Sequence, residues 1–205
     1  ILGLPVAIVF GWILARCTFP GKLLLNMFIF TPLVLPPVVT GYLLLITFGR
    51  MTPIGRFFEQ MGLSFSFTFS GAVLAAFIVG MPLYIMSIRS AFESIDPKLE
   101  EMAMTLGYTP LKVFFKVTLP LAFPGIGAGA LLSFARALGE FGATVIIAGN
   151  MEGKTRTIAL AIYSLLDMPN GIEAAQVLVV ASLLISLLAI FGYELLIRWH
   201  RKRLE

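Results

Sequence analysis

Cysteine and histidine are almost missing: Cys17 and His200 are the single examples of each in 205 residues. One cysteine excludes an intrachain disulfide framework and any cysteine-built metal cage. One histidine, near the polar C-terminus, leaves no histidine zinc site or catalytic triad within the chain. No metal site is therefore expected. Charge is scarce as well, at 13% of residues, where an average soluble domain has about 25%. The net charge of +4 needs no nucleic acid to explain it, because basic residues gather at the cytoplasmic ends of membrane spans. What is abundant is apolar: 59% of residues are hydrophobic and the mean hydropathy is +0.96. These values indicate an all-α, polytopic membrane helix bundle, and the length fits one domain over 1–205.

A helix needs about 20 apolar residues to cross a hydrocarbon core of roughly 30 Å. Lys22 and Arg50 bracket one charge-free stretch, predicting a span at Leu23–Phe48. Glu59 and Arg89 bracket another, with a span at Thr68–Ile88. A fourth is expected at Leu121–Ile147 and a fifth between Glu173 and Glu194. The chain begins at Ile1, inside an apolar run. Residues 1–15 fit the inner half of a first span completed upstream better than a signal peptide, giving five spans with the first truncated. With the Arg16–Lys22 stretch inside, the inner segments carry ten Lys and Arg against four outside, Arg50, Arg56, Lys154 and Arg156. By the positive-inside rule, the loop around 91–120 and the C-terminal "RWHRKRLE" face the cytoplasm. "TPLVLPPVVTG" and "LPLAFPGIGAG" share composition only, so no inverted repeat is inferred.

Two motifs mislead. "GNMEGKT", Gly149–Thr155, has three residues between its glycines where a phosphate-binding loop needs four, and no strand precedes it. "GIGAGA", Gly125–Ala130, fits a dinucleotide pattern in letters but opens a membrane helix; Gly125 and Gly129 are better read as a close-packing face. Gly41, Gly80, Pro32, Pro36, Pro37 and Pro82 fall within the second and third spans, as kinks and close contacts or as gate hinges. Arg136 and Glu140 are the charges well inside the fourth span, placed at i and i+4 on one helix face. They form either an orienting ion pair or part of a translocation path or gate.

The stretch "EEMAMTLGYTPLKVFFKVTLPLAFPG", 100–125, is polar by comparison. Asp96 is a good N-cap, Pro97 suits the first helical position, and Gly107 can take the left-handed conformation that closes a helix. Leu99, Met102, Ala103 and Leu106 share one stripe. Thr109 and Pro110 then restart the same grammar, and Leu119-Pro120 is expected to end the second helix. By spacing alone this insert is a structural loop, an interfacial helix on lipid or a knob for a groove on a partner.

The segment resembles the EAA loop of ABC importer permeases: Glu101-Met102-Ala103, Gly107, Val117 and Leu119-Pro120 reproduce its gaps, with Met102 for Ala and Val117 for Ile. "RCTFPGK", "PLVLPPVVTGYLLL", "RALGEFGAT" and "GKTRTIALAIYSLL" extend the likeness over nearly the whole chain. They are most similar to the molybdate permeases of the molybdate/sulfate group. That resemblance implies a type I ABC importer transmembrane domain in a bacterial or archaeal cytoplasmic membrane, and a transport subunit, not an enzyme. It implies that Glu101, Ala103, Gly107, Leu119 and Pro120 couple to an ATPase. It further implies a homodimer in membrane lipid, two ATP-binding subunits below and a solute-binding protein above. ATP and magnesium belong to the partner ATPase, leaving no cofactor in this chain. Sulfate, thiosulfate or tungstate are alternative cargoes. A self-sufficient channel or ion-coupled carrier, or a membrane anchor for a cytoplasmic enzyme, are the competing classes.

Overall fold

The computed structural model describes residues 3–204; Ile1, Leu2 and Glu205, with the side chains of Arg201, Arg203 and Leu204, lie outside the described residues. The very start of the expected first span and two of the C-terminal basic side chains fall there. Every regular element among the described residues is helical: α1 Leu4–Arg16, α2 Lys22–Val34, α3 Pro37–Phe48, α4 Pro53–Gln60, α5 Phe69–Glu93 and α6 Pro97–Thr105. They are followed by α7 Pro110–Val113, a π-helical turn Phe114–Thr118, α8 Leu119–Leu138, α9 Gly142–Ile147, α10 Ile158–Leu166 and α11 Gly171–Leu204. Three stretches are long and apolar enough to cross a membrane: Phe69–Glu93, Pro110–Leu138 and Gly171–His200. The α2–α3 pair makes up to a fourth, and α1 is a shorter apolar helix.

Three expected boundaries are corrected. Leu23–Phe48 is not one helix, because α2 and α3 meet at an angle of 118°. Pro37 disfavours helical backbone at the residue before it, and Pro36 is extended at φ −54°, ψ 134°, so the chain restarts with Pro37 at the first helical position. Leu121–Ile147 is not one helix either; α8 stops at Leu138 and α9 begins at Gly142. Nor does Leu119-Pro120 end a helix. The Leu119 N–H reaches back to the Phe114 carbonyl, and this wide turn carries the chain on into α8. A widened turn relieves the clash a proline ring makes with the carbonyl four residues earlier. The helix α10 was not anticipated, although Thr157 accepts from Leu160 N at 3.3 Å as an N-cap before an apolar run.

The chain forms two compact units, Ile1–Ile29 with Met81–Ser133 and Gly192–Glu205, and Phe30–Gly80 with Phe134–Phe191. In the first, Leu14, Ile88 and Phe92 are fully buried. The predicted glycine face of α8 packs there as expected: a Cβ on Gly129 would lie 2.8 Å from Tyr84, and one on Gly125 would strike Ala91 of α5. In the second unit the core is Leu44, Ala72, Ala75, Val79, Ala143, Ile147 and Ala148. α3 and α9 cross closely in it: a Cβ on Gly41 would stand 2.7 Å from both the Cα and the carbonyl oxygen of Ala143. Backbone cannot step aside as a flexible side chain can. Overpacking of this kind costs about 1–3 kcal/mol. Gly41→Ala should therefore lower the thermal unfolding midpoint of the detergent-solubilised protein clearly. Gly192→Ala, where nothing lies within 4 Å, should leave it unchanged or raise it slightly. Equal midpoints for the two variants would refute the close-crossing account.

Candidate functional site

The α6 segment is closed at both ends by its own chemistry. Asp96 accepts from the Lys98 N–H at 2.9 Å, with Pro97 in the first turn as the sequence predicts. At the other end Tyr108 N donates to Ala103 O at 3.2 Å and Gly107 N to Met104 O at 2.9 Å. This is the paired-bond Schellman closure, and it places Gly107 at φ +87°. A Cβ there would meet nothing within 4 Å, so within this chain the position needs glycine for its backbone and not for space. Thr109 occupies the cap position of α7 but makes no side-chain cap bond.

Burial corrects the expected apolar stripe. Ala103 alone of the four is buried, at 8% exposure, while Met102 is 62% and Leu106 79% exposed and Leu99 is also open. Glu101 is exposed. The inward acid is its neighbour Glu100, which the sequence reading passed over. Glu100 Oε1 accepts from Arg16 of α1 at 3.0 Å and from Thr118 Oγ1 at 2.8 Å. Arg16 also donates to Ile95 O at 3.2 Å, just before the α6 cap. Glu100 lies in the first turn of α6, where a carboxylate complements the helix dipole. The available signal was an acid in a first helical turn, a pattern too common to single it out. Below these bonds, Phe114 packs against Trp12 and Phe92 with ring centroids 6.2 Å apart in each case. Leu119 and Pro120 continue from the π turn as the first turn of α8.

Arg136 and Glu140 do pair, with Nη1 and Oε2 2.7 Å apart, but not on one helix face. α8 has ended at Leu138, and Glu140 sits in the break before α9. Its second oxygen accepts from the Ala143 N–H at 2.7 Å, so the side chain closes the start of α9 while holding Arg136. The Glu140 side chain is 1% exposed and that of Arg136 27%. A buried carboxylate with both oxygens engaged is a brace for the turn. Among the described residues no cluster of three or more His, Cys, Asp or Glu could hold a metal ion.

Long apolar helices joined by short capped ones, with no strand among the described residues, define a polytopic membrane protein. The chain belongs to the family described as "Binding-protein-dependent transport system inner membrane component", which matches residues 7–204. It is 48% identical over 204 residues to the "Molybdenum transport system permease protein ModB" of Escherichia coli (strain K12), covering 99% of this chain and 89% of that one. It is 47% identical over 203 residues to the protein of the same name from Haemophilus influenzae, covering 98% and 87%. The fold is also similar to a crystal structure of a bacterial alginate ABC transporter in complex with alginate pentasaccharide-bound periplasmic protein, with a TM-score of 0.70 at 15% identity over 94% of this chain and 71% of that one. The chain is thus a multi-pass inner-membrane transport subunit.

Removing one partner of a buried ion pair costs about 3–5 kcal/mol, because the other charge is stranded. Arg136→Met should lower the thermal midpoint more than the double variant Arg136→Met/Glu140→Gln. In the double variant a neutral amide oxygen still accepts from Ala143 N. A double variant no more stable than the single one would rule out the brace.

Proposed function

We propose that this chain is the membrane-spanning permease subunit of an ATP-driven molybdate importer, and that α6 is its docking contact with a separate ATPase. The observation that carries the docking reading is the contrast within one short helix. Ala103 and Glu100 anchor inward, while Glu101, Met102 and Leu106 present an exposed surface capped by Gly107 with open space around it. A structural loop would turn its apolar residues to its own core; here they face outward on a helix fixed at both ends. The end-to-end likeness to the ModB permeases supports molybdate as the cargo. As a transport subunit the chain is not an enzyme, and ATP with magnesium belongs to the partner.

In this reading two copies of the chain form the pathway, two ATPases lie below and a solute-binding protein delivers the oxyanion above. The α6 loop and the C-terminus are cytoplasmic, in keeping with the charge bias. ATP-driven closure of the ATPases moves α6, and the Arg16–Glu100–Thr118 bonds pass that displacement to α1 and the start of α8. Leu119 and Pro120 act as the start of that lever and not as a surface. Arg136 and Glu140 shape the turn that joins α8 to α9, which makes them structural to the pathway without requiring either to touch the anion.

The docking assignment is tested at Gly107. Asparagine tolerates the left-handed backbone, so Gly107→Asn should keep most molybdate uptake into vesicles carrying the full complex. Gly107→Phe should leave permease abundance close to normal but lower the copurifying ATPase about tenfold, the factor for about 1.4 kcal/mol. Full ATPase recovery and uptake with Gly107→Phe would end the docking reading. Competition of labelled molybdate uptake by sulfate and tungstate tests the cargo; equal inhibition by sulfate would remove the preference for molybdate.

A further inference from the structure

α8 carries Pro120 and Pro124 four residues apart. In an α-helix the N–H of residue 124 would close the bond to the carbonyl of residue 120, and proline has no N–H to give. The Pro120 carbonyl is therefore denied its donor within α8. His200, near the C-terminal end of α11, brings its Nε2 to 3.0 Å from that oxygen. A carbonyl can only accept, so Nε2 carries the proton. The imidazole also stacks on Phe123, with ring centroids 4.5 Å apart and planes inclined by 28°, which fixes the orientation of the donor. The contact falls within one compact unit, two residues beyond Thr118, where Glu100 of α6 is tied.

Elsewhere on α11, Ile197 is buried and Tyr193 lies beside Gly127 of α8, 3.1 Å from where a Cβ would stand. Such packing resists separation but sets little penalty on sliding. A hydrogen bond is directional and weakens steeply when its geometry is lost. Losing the bond leaves the half-buried Pro120 carbonyl without this partner, which makes the loss larger.

We propose that His200 is a positioning residue for energy coupling, pinning the entry turn of α8 to the end of α11 so that a displacement of α6 moves both helices together. The proposal rests on the transport reading above. His200 touches neither cargo nor nucleotide in it; it acts through the Pro120 carbonyl. In the sequence, His200 served only to exclude a histidine zinc site or catalytic triad.

The test uses the whole complex, with its ATPase and binding protein, reconstituted in proteoliposomes, and reads molybdate accumulated per ATP hydrolysed. His200→Phe keeps an aromatic ring for the Phe123 stack and removes the donor; it should lower that ratio about fivefold, the factor expected for one hydrogen bond. His200→Gln keeps an N–H donor and should stay close to the unsubstituted complex. Pro124→Ala returns an N–H to the position that serves the Pro120 carbonyl, so in that background His200→Phe should be silent. A normal ratio in His200→Phe, or a loss of the same size with and without Pro124→Ala, overturns the proposal. A lower thermal midpoint with an unchanged ratio also overturns it, since the residue would then be structural only. If the unsubstituted complex shows no molybdate-stimulated ATP turnover, the transport reading fails and takes the positioning role with it. The thermal-midpoint cycle between His200→Phe and Pro124→Ala still decides whether the bond exists.

Discussion

Inside an apolar layer, a backbone N–H or carbonyl released from a helix has no water to turn to, and leaving it unpaired costs several kcal/mol. That constraint organises the details of this structure. The α2–α3 break is built from Pro36 and Pro37, two residues with no N–H, so few donors are set free. The Val39 and Thr40 N–H groups both return to Pro36 O, at 2.9 and 3.2 Å. At the α8–α9 break the Glu140 carboxylate takes the Ala143 N–H. At Pro124 the missing donor is supplied from α11 by His200. Each interruption sits beside the group that repairs it.

Packing follows from the same surroundings. Lipid tails are as apolar as leucine, so helices gain little by hiding leucines from them and more by approaching closely. The close α3–α9 crossing is accordingly made by small residues, Gly41 against Ala143, with Ala72, Ala75 and Ala148 in the same core cluster. The large side chains Leu183, Leu187, Leu188 and Phe191 of α11 stay exposed. Those α11 positions are where a soluble protein would be expected to bury its bulk. The few polar bonds gain weight by contrast, and the Arg136–Glu140 and Arg16–Glu100 pairs fix geometry that apolar contacts leave loose.

The sequence carried the class of the fold and the punctuation of α6, and it missed most interruptions. Asp96, Pro97 and Gly107 act through local rules that need no knowledge of neighbours, so their roles were legible. Charge-free runs predicted the long helices α5 and α11, because length and polarity alone decide what can cross. The same counting fused α2 with α3, where no charge marks the Pro36–Pro37 break, and α8 with α9, where Glu140 was read as lying within the span. The continuation through Leu119-Pro120 was hidden for a different reason. A proline normally stops a helix, and the π turn that lets it continue has no sequence signature of its own.

The adjacent acids Glu100 and Glu101 show where pattern matching needs geometry. Successive residues on a helix point about 100° apart, so one of two neighbouring carboxylates can face the protein while the other faces away. A motif frame picks Glu101, and in the structure Glu101 is the exposed one. Glu100 holds Arg16 and Thr118 through a single oxygen, which sets the rotation of α6 about its axis. A helix free to roll would present a changing surface; one pinned by Glu100 presents Glu101, Met102 and Leu106 in a fixed orientation. The two acids divide one task. In the docking reading proposed above, the exposed member is what the ATPase meets, and the tied member carries a push on that surface to Arg16 and Thr118.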